Sequence, residues 1–192
     1  MSLGFLVLFL PLIASALTLL LSRRGATLSS YISTASAFIC LLITVSLIQN
    51  GDNKELGSFN WIQVGEFQLN IALELTGLGK GMLLVVTLIG FLVHLFSIGY
   101  MKEDSGKARY FGGLSLFMFS MTGIVLANNL AMMFIFWELV GVSSYLLIGH
   151  WYHKHSAAEA AKKAFLVNRI GDFGFMIGIL LIWGAVGSVN FT

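Results

Sequence analysis

The chain reads as long apolar runs separated by short polar ones. Six stretches, roughly 3 to 22, 27 to 49, 78 to 100, 109 to 127, 129 to 151 and 161 to 186, are long and apolar enough to cross a hydrocarbon core, which takes about 20 residues of helix. They predict six transmembrane helices. Between the second and third runs the period changes: Phe67, Leu69, Ile71, Leu73 and Leu75 alternate with Gln68, Asn70, Ala72 and Glu74, after Phe59, Trp61 and Val64. A period of two predicts strands, so residues 54–76 read as a β-hairpin that turns near Gly65 and Glu66 and lies outside the bilayer. Its apolar face must rest on helix ends or on a neighbouring subunit. Pro11 falls inside the first run, where a mild kink is expected, because neighbouring helices can satisfy the carbonyl that a proline frees. The expected fold is therefore an all-α membrane protein, with one transmembrane domain over residues 1–192 and a small extramembrane hairpin.

Composition agrees with this reading. The 192 residues are 57% hydrophobic and 10% charged, with mean hydropathy +0.88, whereas a soluble domain carries about 25% charged residues. A net charge of +2 leaves no basic footprint for nucleic acid. The single cysteine, Cys40, rules out a disulfide framework within the chain and reads as a small buried hydrophobe. The N-terminus has a candidate cleavage site at Ala14-Ser15-Ala16, but it lacks a positive leading region and stays apolar to Leu21 before Arg23 and Arg24. That is the flank of a retained span. With the N-terminus outside, Arg23, Arg24, Lys102, Lys107, Arg109, Lys154, Lys162 and Lys163 lie inside and only Lys54 lies in an outer loop. Eight against one is a strong positive-inside signal, and it puts the hairpin on the outer, periplasmic or equivalent, face.

Against this background the charges inside the spans stand out. Glu138 lies near the middle of "FIFWELVGVSSYLLIGHW". A charge at that depth costs about 2.5 kcal/mol or more, so it must be neutralised, paired or proton-exchanging. Gly141 and Tyr145, at i+3 and i+7, give Glu138 a face with close backbone approach and a hydroxyl. A protonated glutamic acid making one interhelical hydrogen bond is the plain structural alternative. In the third span Lys80, Thr87 and His94 recur every seven residues on one helix face. His94 is a candidate proton relay, although a neutral histidine bonded in a packed bundle also explains it. Lys80 sits near the outer end, where snorkelling is favoured. In "KKAFLVNRIGDFGFMIG" the spacing of Asn168, Arg169 and Asp172 allows one hydrogen-bonded ion-pair cluster, serving either as a structural lock or in charge transfer. Gly174 and Gly178 form a G-x-x-x-G that admits another helix. His150, His153 and His155 hint at metal, but a water-exposed loop explains them and no metal site is expected. No phosphate loop, dinucleotide fingerprint or catalytic triad is present, so no cofactor and no redox centre is expected in this chain.

Three segments, "FLVHLFSIGYM", "NNLAMMFIFWELVGVSSYLLIGHWY" and "AAKKAFLVNRIGDFGF", resemble the N-terminal part of the large antiporter-like subunit of respiratory complex I, the NuoL or subunit 5 family of NADH:quinone oxidoreductase. The resemblance implies a proton-pumping module driven by redox energy from another arm of a complex that holds NADH, FMN, iron-sulfur clusters and quinone. It implies neighbouring antiporter-like subunits as partners and an energy-transducing membrane, bacterial plasma or mitochondrial inner, as the location. By this resemblance Glu138 occupies the position of the helix-five glutamate that forms half of a switchable ion pair, Asp172 and Arg169 those of the R-[VI]-G-D motif, and His94 that of the third-helix histidine. Two departures stand out. "LTGLGKG" carries Thr76 where the family has aspartate and adds Lys80 nearby, and the chain stops after six helices where the family has well over a dozen, so a fragment of a longer chain is expected. Glu138 then has no cation partner within the membrane in this chain, because Arg169 is expected to engage Asp172. A subunit of a multi-subunit Na+/H+ antiporter, with a similar "FWEL", is the alternative transporter, and a truncated or structural membrane component is the alternative without transport.

Overall fold

The computed structural model describes residues 3–20, 25–49, 54–64 and 67–191. The expected turn at Gly65 and Glu66, and the charges Arg23 and Arg24, lie outside these residues. The elements follow in the order α1 (Leu3–Leu20), α2 (Ala26–Gln49), β1 (Lys54–Val64), β2 (Phe67–Leu75), α3 (Gly77–Tyr100), α4 (Lys107–Leu126), α5 (Leu130–Ile148) and α6 (His155–Val186). All six helices are long and apolar enough to span a membrane, and the protein is an all-α membrane protein with a small two-stranded sheet. The last helix starts at His155 rather than near 161. Its opening sequence, "HSAAEAAKKA", is rich in strong helix formers, so the helix continues beyond the apolar run. At 32 residues it measures about 48 Å, longer than a hydrocarbon core of about 30 Å. It ends at Gly187, whose φ of 76° lets its N–H close onto the Trp183 carbonyl, a left-handed conformation that suits glycine.

α4 lies at the centre, against α1, α2, α3 and α5. Lipid is as apolar as leucine, so helices in a bilayer gain little from apolar burial and associate through small residues and hydrogen bonds. The interface of α1, α2 and α4 is built this way. Ser15 Oγ donates to the Gly112 carbonyl at 2.8 Å, Ser33 Oγ donates to the Phe111 carbonyl at 3.2 Å, and the hydroxyls of Ser33 and Ser115 pair at 2.6 Å. Pro11 sits within α1 without ending it. Because proline has no N–H, the Val7 carbonyl loses its donor within the helix, and the Cys40 thiol of α2 takes that place at 3.6 Å. Cys40 is thus buried, as its surroundings require, and also serves as a donor.

The apolar core lies toward the hairpin end, where Val7, Leu8, Leu83, Phe119, Leu126, Met132 and Phe136 pack with Leu73 and Leu75 of β2. Leu73 also bridges to Ala127 beyond α4, so the base of the sheet rests on helix ends. The strict alternation expected of β2 fails here, because Ala72 is as buried as Leu73 while Ile71 is 37% exposed. The antiparallel register slips between Glu55 and Gly57 and again between Asn60 and Ile62, and such bulges bend and twist a ribbon.

At the opposite end the α3–α4 loop clasps the α5–α6 loop. Asp104 accepts from Trp151 Nε1 at 2.7 Å and from the Gly106 N–H at 2.6 Å, and its Oδ1 lies 3.3 Å from His150 Nε2. Arg109 donates to the His150 carbonyl at 2.8 Å and lies over the Tyr152 ring. Partial burial pushes the Asp104 carboxyl up, but the bonds from Trp151, Gly106 and His150 outweigh it and hold the carboxyl below its ordinary range.

Two expectations follow. A Cβ at Gly123 would overlap the buried Phe136 ring, so Gly123→Val should lower the thermal midpoint of the full-length protein in lipid through overpacking, typically about 1–3 kcal/mol. Asp104 binds its proton less readily when folded, so it stabilises the clasp above its unfolded pKa, and that contribution fades as pH falls through the lowered value. Asp104→Asn should therefore reduce thermal stability at neutral pH, with the difference from the unsubstituted protein closing in acid.

Candidate functional site

The polar groups of the last two helices meet midway along α5. Glu138 lies eight residues from Leu130 and ten from Ile148, about 12 and 15 Å from the two ends. Arg169 of α6 forms a salt bridge to Glu138 Oε2, and the same nitrogen, Nη1, lies 3.7 Å from Asp172 Oδ2. Trp137 Nε1 donates to the other Asp172 oxygen at 2.9 Å. One guanidinium thus faces two carboxylates, and the buried carboxylate has a second donor from the residue next to Glu138. Aromatic rings surround the group: Arg169 lies over Phe165 at 4.8 Å, while Phe175 packs edge-on to Trp137 and Phe134. Stacked guanidinium is the geometry in which arginine tolerates partial desolvation best.

This corrects the expectation that Glu138 has no cation partner and that Arg169 turns to Asp172 instead. The i, i+3 spacing within α6 brings Asp172 within reach, but nothing in the local pattern tells which face of α5 meets α6, 31 residues away. Asn168, expected to join the cluster, is exposed. Among the described residues no close approach is made at Gly141, Gly174 or Gly178, where a Cβ would meet nothing within 4 Å. Tyr145 stacks on Phe165 at 5.6 Å. Trp137 carries a role that the sequence reading missed. The available signal was an indole N–H inside a span, which needs an acceptor when buried.

α3 carries the second polar line, packed against α2 and α4. Thr87 and His94 are buried and Lys80 is half-buried. His94 Nδ1 lies 2.7 Å from the Gly90 carbonyl, and since a carbonyl only accepts, Nδ1 carries a proton. Nε2 is buried and has no hydrogen-bond partner among the described residues. Thr76, which stands in the family's aspartate position, caps α3 through a 3.0 Å bond from the Gly79 N–H, so the substitution keeps a side-chain oxygen at the helix start. His150 is committed to Asp104, and the His153 ring lies against Tyr152. Among the described residues no group of three or more such side chains is placed to hold a metal ion.

The arrangement around Arg169 lets one cation be shared unequally between two acids. A shift of the guanidinium toward Asp172 weakens its hold on Glu138, and the reverse shift strengthens it. Trp137→Phe keeps the contact with Phe175 but removes the donor to Asp172. Hydrogen bonds to charged groups contribute about 1.5–3 kcal/mol, so a drop in the thermal midpoint of the full-length protein is expected, and an unchanged midpoint would mean that the indole bond contributes nothing.

Residues 61–111 match the family described as NADH-Ubiquinone oxidoreductase (complex I), chain 5 N-terminus, and residues 127–192 match that described as NADH:quinone oxidoreductase/Mrp antiporter, TM. The NADH-quinone oxidoreductase subunit L of Mycobacterium tuberculosis is 37% identical over 98% of this chain and 31% of its own length. That of Rickettsia felis is 40% identical over 99% of this chain and 30% of its own, and the NAD(P)H-quinone oxidoreductase chain 5 of Synechocystis is 47% identical over 68% and 19%. Two solved structures share the fold with a TM-score of 0.82. They are the archaeal membrane-bound sulfane sulfur reductase, at 24% identity over 97% of this chain and 38% of that chain, and the Mrp complex of a Dietzia species, at 22% identity over 97% and 20%. The chain spans about a third or less of the length of these curated relatives. With matches over both halves and its three motif segments in place, it belongs to the subunit L, or subunit 5, family of NADH-quinone oxidoreductase.

Proposed function

We propose that this chain forms the N-terminal part of a proton-translocating subunit of complex I, coupling quinone reduction elsewhere in the complex to proton movement at Glu138. The observation that carries this reading is a glutamate at mid-helix held by an arginine that also faces a second carboxylate. A purely structural pair needs one acid for one base. The second acid gives Arg169 an alternative partner, and a shift of Arg169 toward Asp172 leaves the Glu138 carboxylate without its cation. In this reading Glu138 takes and releases the proton, Arg169 and Asp172 are its charged partners, His94 is a separate relay on α3, and Lys80 supplies a charge near the outer end of α3. NADH, FMN, iron-sulfur clusters and quinone belong to other subunits, and redox chemistry takes place there. Other membrane subunits, including antiporter-like neighbours, are the partners. The loop charges favour an N-terminus on the outer side of an energy-transducing membrane, bacterial plasma or mitochondrial inner.

The fold is shared with an Mrp complex, which supports a second reading as a subunit of a multi-subunit Na+/H+ antiporter. The relatives at 37–47% identity are oxidoreductase subunits, and they favour the first. Glu138→Gln in the full-length subunit of the assembled complex tests it. The rate of quinone-coupled proton pumping should fall roughly tenfold, equivalent to about 1.4 kcal/mol on the barrier, while the complex still assembles. Unchanged pumping would remove Glu138 from the mechanism, and sodium–proton exchange without electron transfer would favour the antiporter.

A further inference from the structure

A cavity of about 370 Å³ opens between α1 and α6 at the end opposite the hairpin, with α4 and α5 as its floor. It exists because the floor is made of small residues: Gly112, Gly113 and Gly149 line it, and so do Ala158 and Ala161. Its walls are hydrocarbon, from Leu19, Leu116 and Leu146, and Leu19 and Leu146 are themselves 47% and 48% exposed, so the apolar wall continues onto the surface formed by the described residues. Its rim is cationic, because Arg109 and Lys162 both line it, with the Tyr152 ring beside them. Neither the apolar body nor the cationic rim alone defines an occupant. Together, at the level where the helices meet their loops, they match the polarity of one amphiphile, with a phosphate at the rim and an acyl chain along the apolar walls. We infer that this cavity binds an anionic diacyl phospholipid, with the phosphate on Arg109 and Lys162 and an acyl chain along Leu19, Leu116 and Leu146.

The two cations are suited to the task in different ways. Arg109 is held in place by its bond to the His150 carbonyl at 2.8 Å and by the Tyr152 ring at 4.8 Å, which leaves further N–H groups of the planar fork for a phosphate. Lys162 pairs with Glu159 at 3.0 Å, but the side chains are 63% and 53% exposed. Such a surface pair contributes little, so the ammonium can turn to a lipid phosphate. Basic pockets between helices at the positively charged face of a membrane protein are recognised sites for anionic headgroups. Lys102 of the α3–α4 loop, Lys154 before α6 and Lys163 within α6 add long-range attraction of the same sign. This site shares no residue with the Glu138 cluster, and the inference does not rest on the proposed proton transfer.

The test uses the full-length subunit, purified in detergent and mixed with dioleoylphosphatidylglycerol or with dioleoylphosphatidylcholine, and native mass spectrometry counts the lipid retained. Phosphatidylglycerol should be retained in preference, and Arg109→Gln with Lys162→Gln should lower its retention roughly tenfold, the loss of about one charge-assisted bond, without changing that of phosphatidylcholine. Ala158→Phe fills the cavity and leaves both cations in place, so it should lower retention as well; this arm stands on its own if the charge variants fail to fold. Competition by millimolar inorganic phosphate separates the sources of the anion. Persistence of the lipid supports an amphiphile site, and complete displacement overturns it in favour of a bare anion site. Equal retention of the two lipids, retention unaffected by either set of substitutions, or a density map of the full-length protein with polypeptide in the cavity would each overturn the proposal.

Discussion

Hydrocarbon offers no water to a polar group, and this shapes every interface in the bundle. A backbone or side-chain donor left unpaired there costs several kilocalories per mole, so most polar groups that enter the membrane bring a partner along; among the described residues Ser36 Oγ, Thr44 Oγ1 and His94 Nε2 are the buried side-chain atoms without one. The α1–α2–α4 interface meets this demand with hydroxyls that return to carbonyls of a neighbouring helix, as Ser15 does at Gly112 and Ser33 does at Phe111. The Cys40 thiol meets it for a carbonyl that a proline has orphaned. The ions on α5 and α6 meet it with each other. The same rule therefore accounts for the neutral packing and for the charged cluster, and the difference between them is only that the cluster has more than one way to be satisfied.

That difference separates α5 and α6 from the rest of the bundle. Helices α1, α2 and α4 are tied by bonds between hydroxyls and carbonyls and by close contact at glycines such as Gly112 and Gly123. Along α6, by contrast, the glycines have no close neighbour among the described residues, and apolar residues such as Ile170 and Phe173 stand 77% and 70% exposed there. The contacts between α5 and α6 include the ions, the Trp137–Asp172 bond and the ring pairs Phe134–Phe175, Trp137–Phe175 and Tyr145–Phe165. The loop clasp through Asp104 and Arg109 anchors the start of α6 and so limits how far that helix can slide.

Sequence pattern reveals much of this and misses a definite part. The six apolar runs give the helices to within a few residues, since bilayer thickness imposes a length that composition alone can reveal. The exception is the start of α6, where helix propensity carries the element past its apolar run. Glu138, Arg169 and Asp172 are recognisable as exceptional because charge is expensive at their depth. Their pairing is not, because it depends on the rotation of α5 against α6, and a helix that is apolar all round carries no stripe to fix that rotation. The role of Trp137 is hidden for the same reason. In the hairpin the period of two is visible, but the register slips have no signal beyond Gly57, whose φ of 142° only glycine adopts easily.

The cluster around Arg169 also has a parity. With both acids ionised, Glu138, Arg169 and Asp172 sum to one negative elementary charge, and the uptake of one proton brings the sum to zero. The two sums differ in the field they cast on their surroundings, and a difference of one charge in a medium of low dielectric is felt over many ångströms.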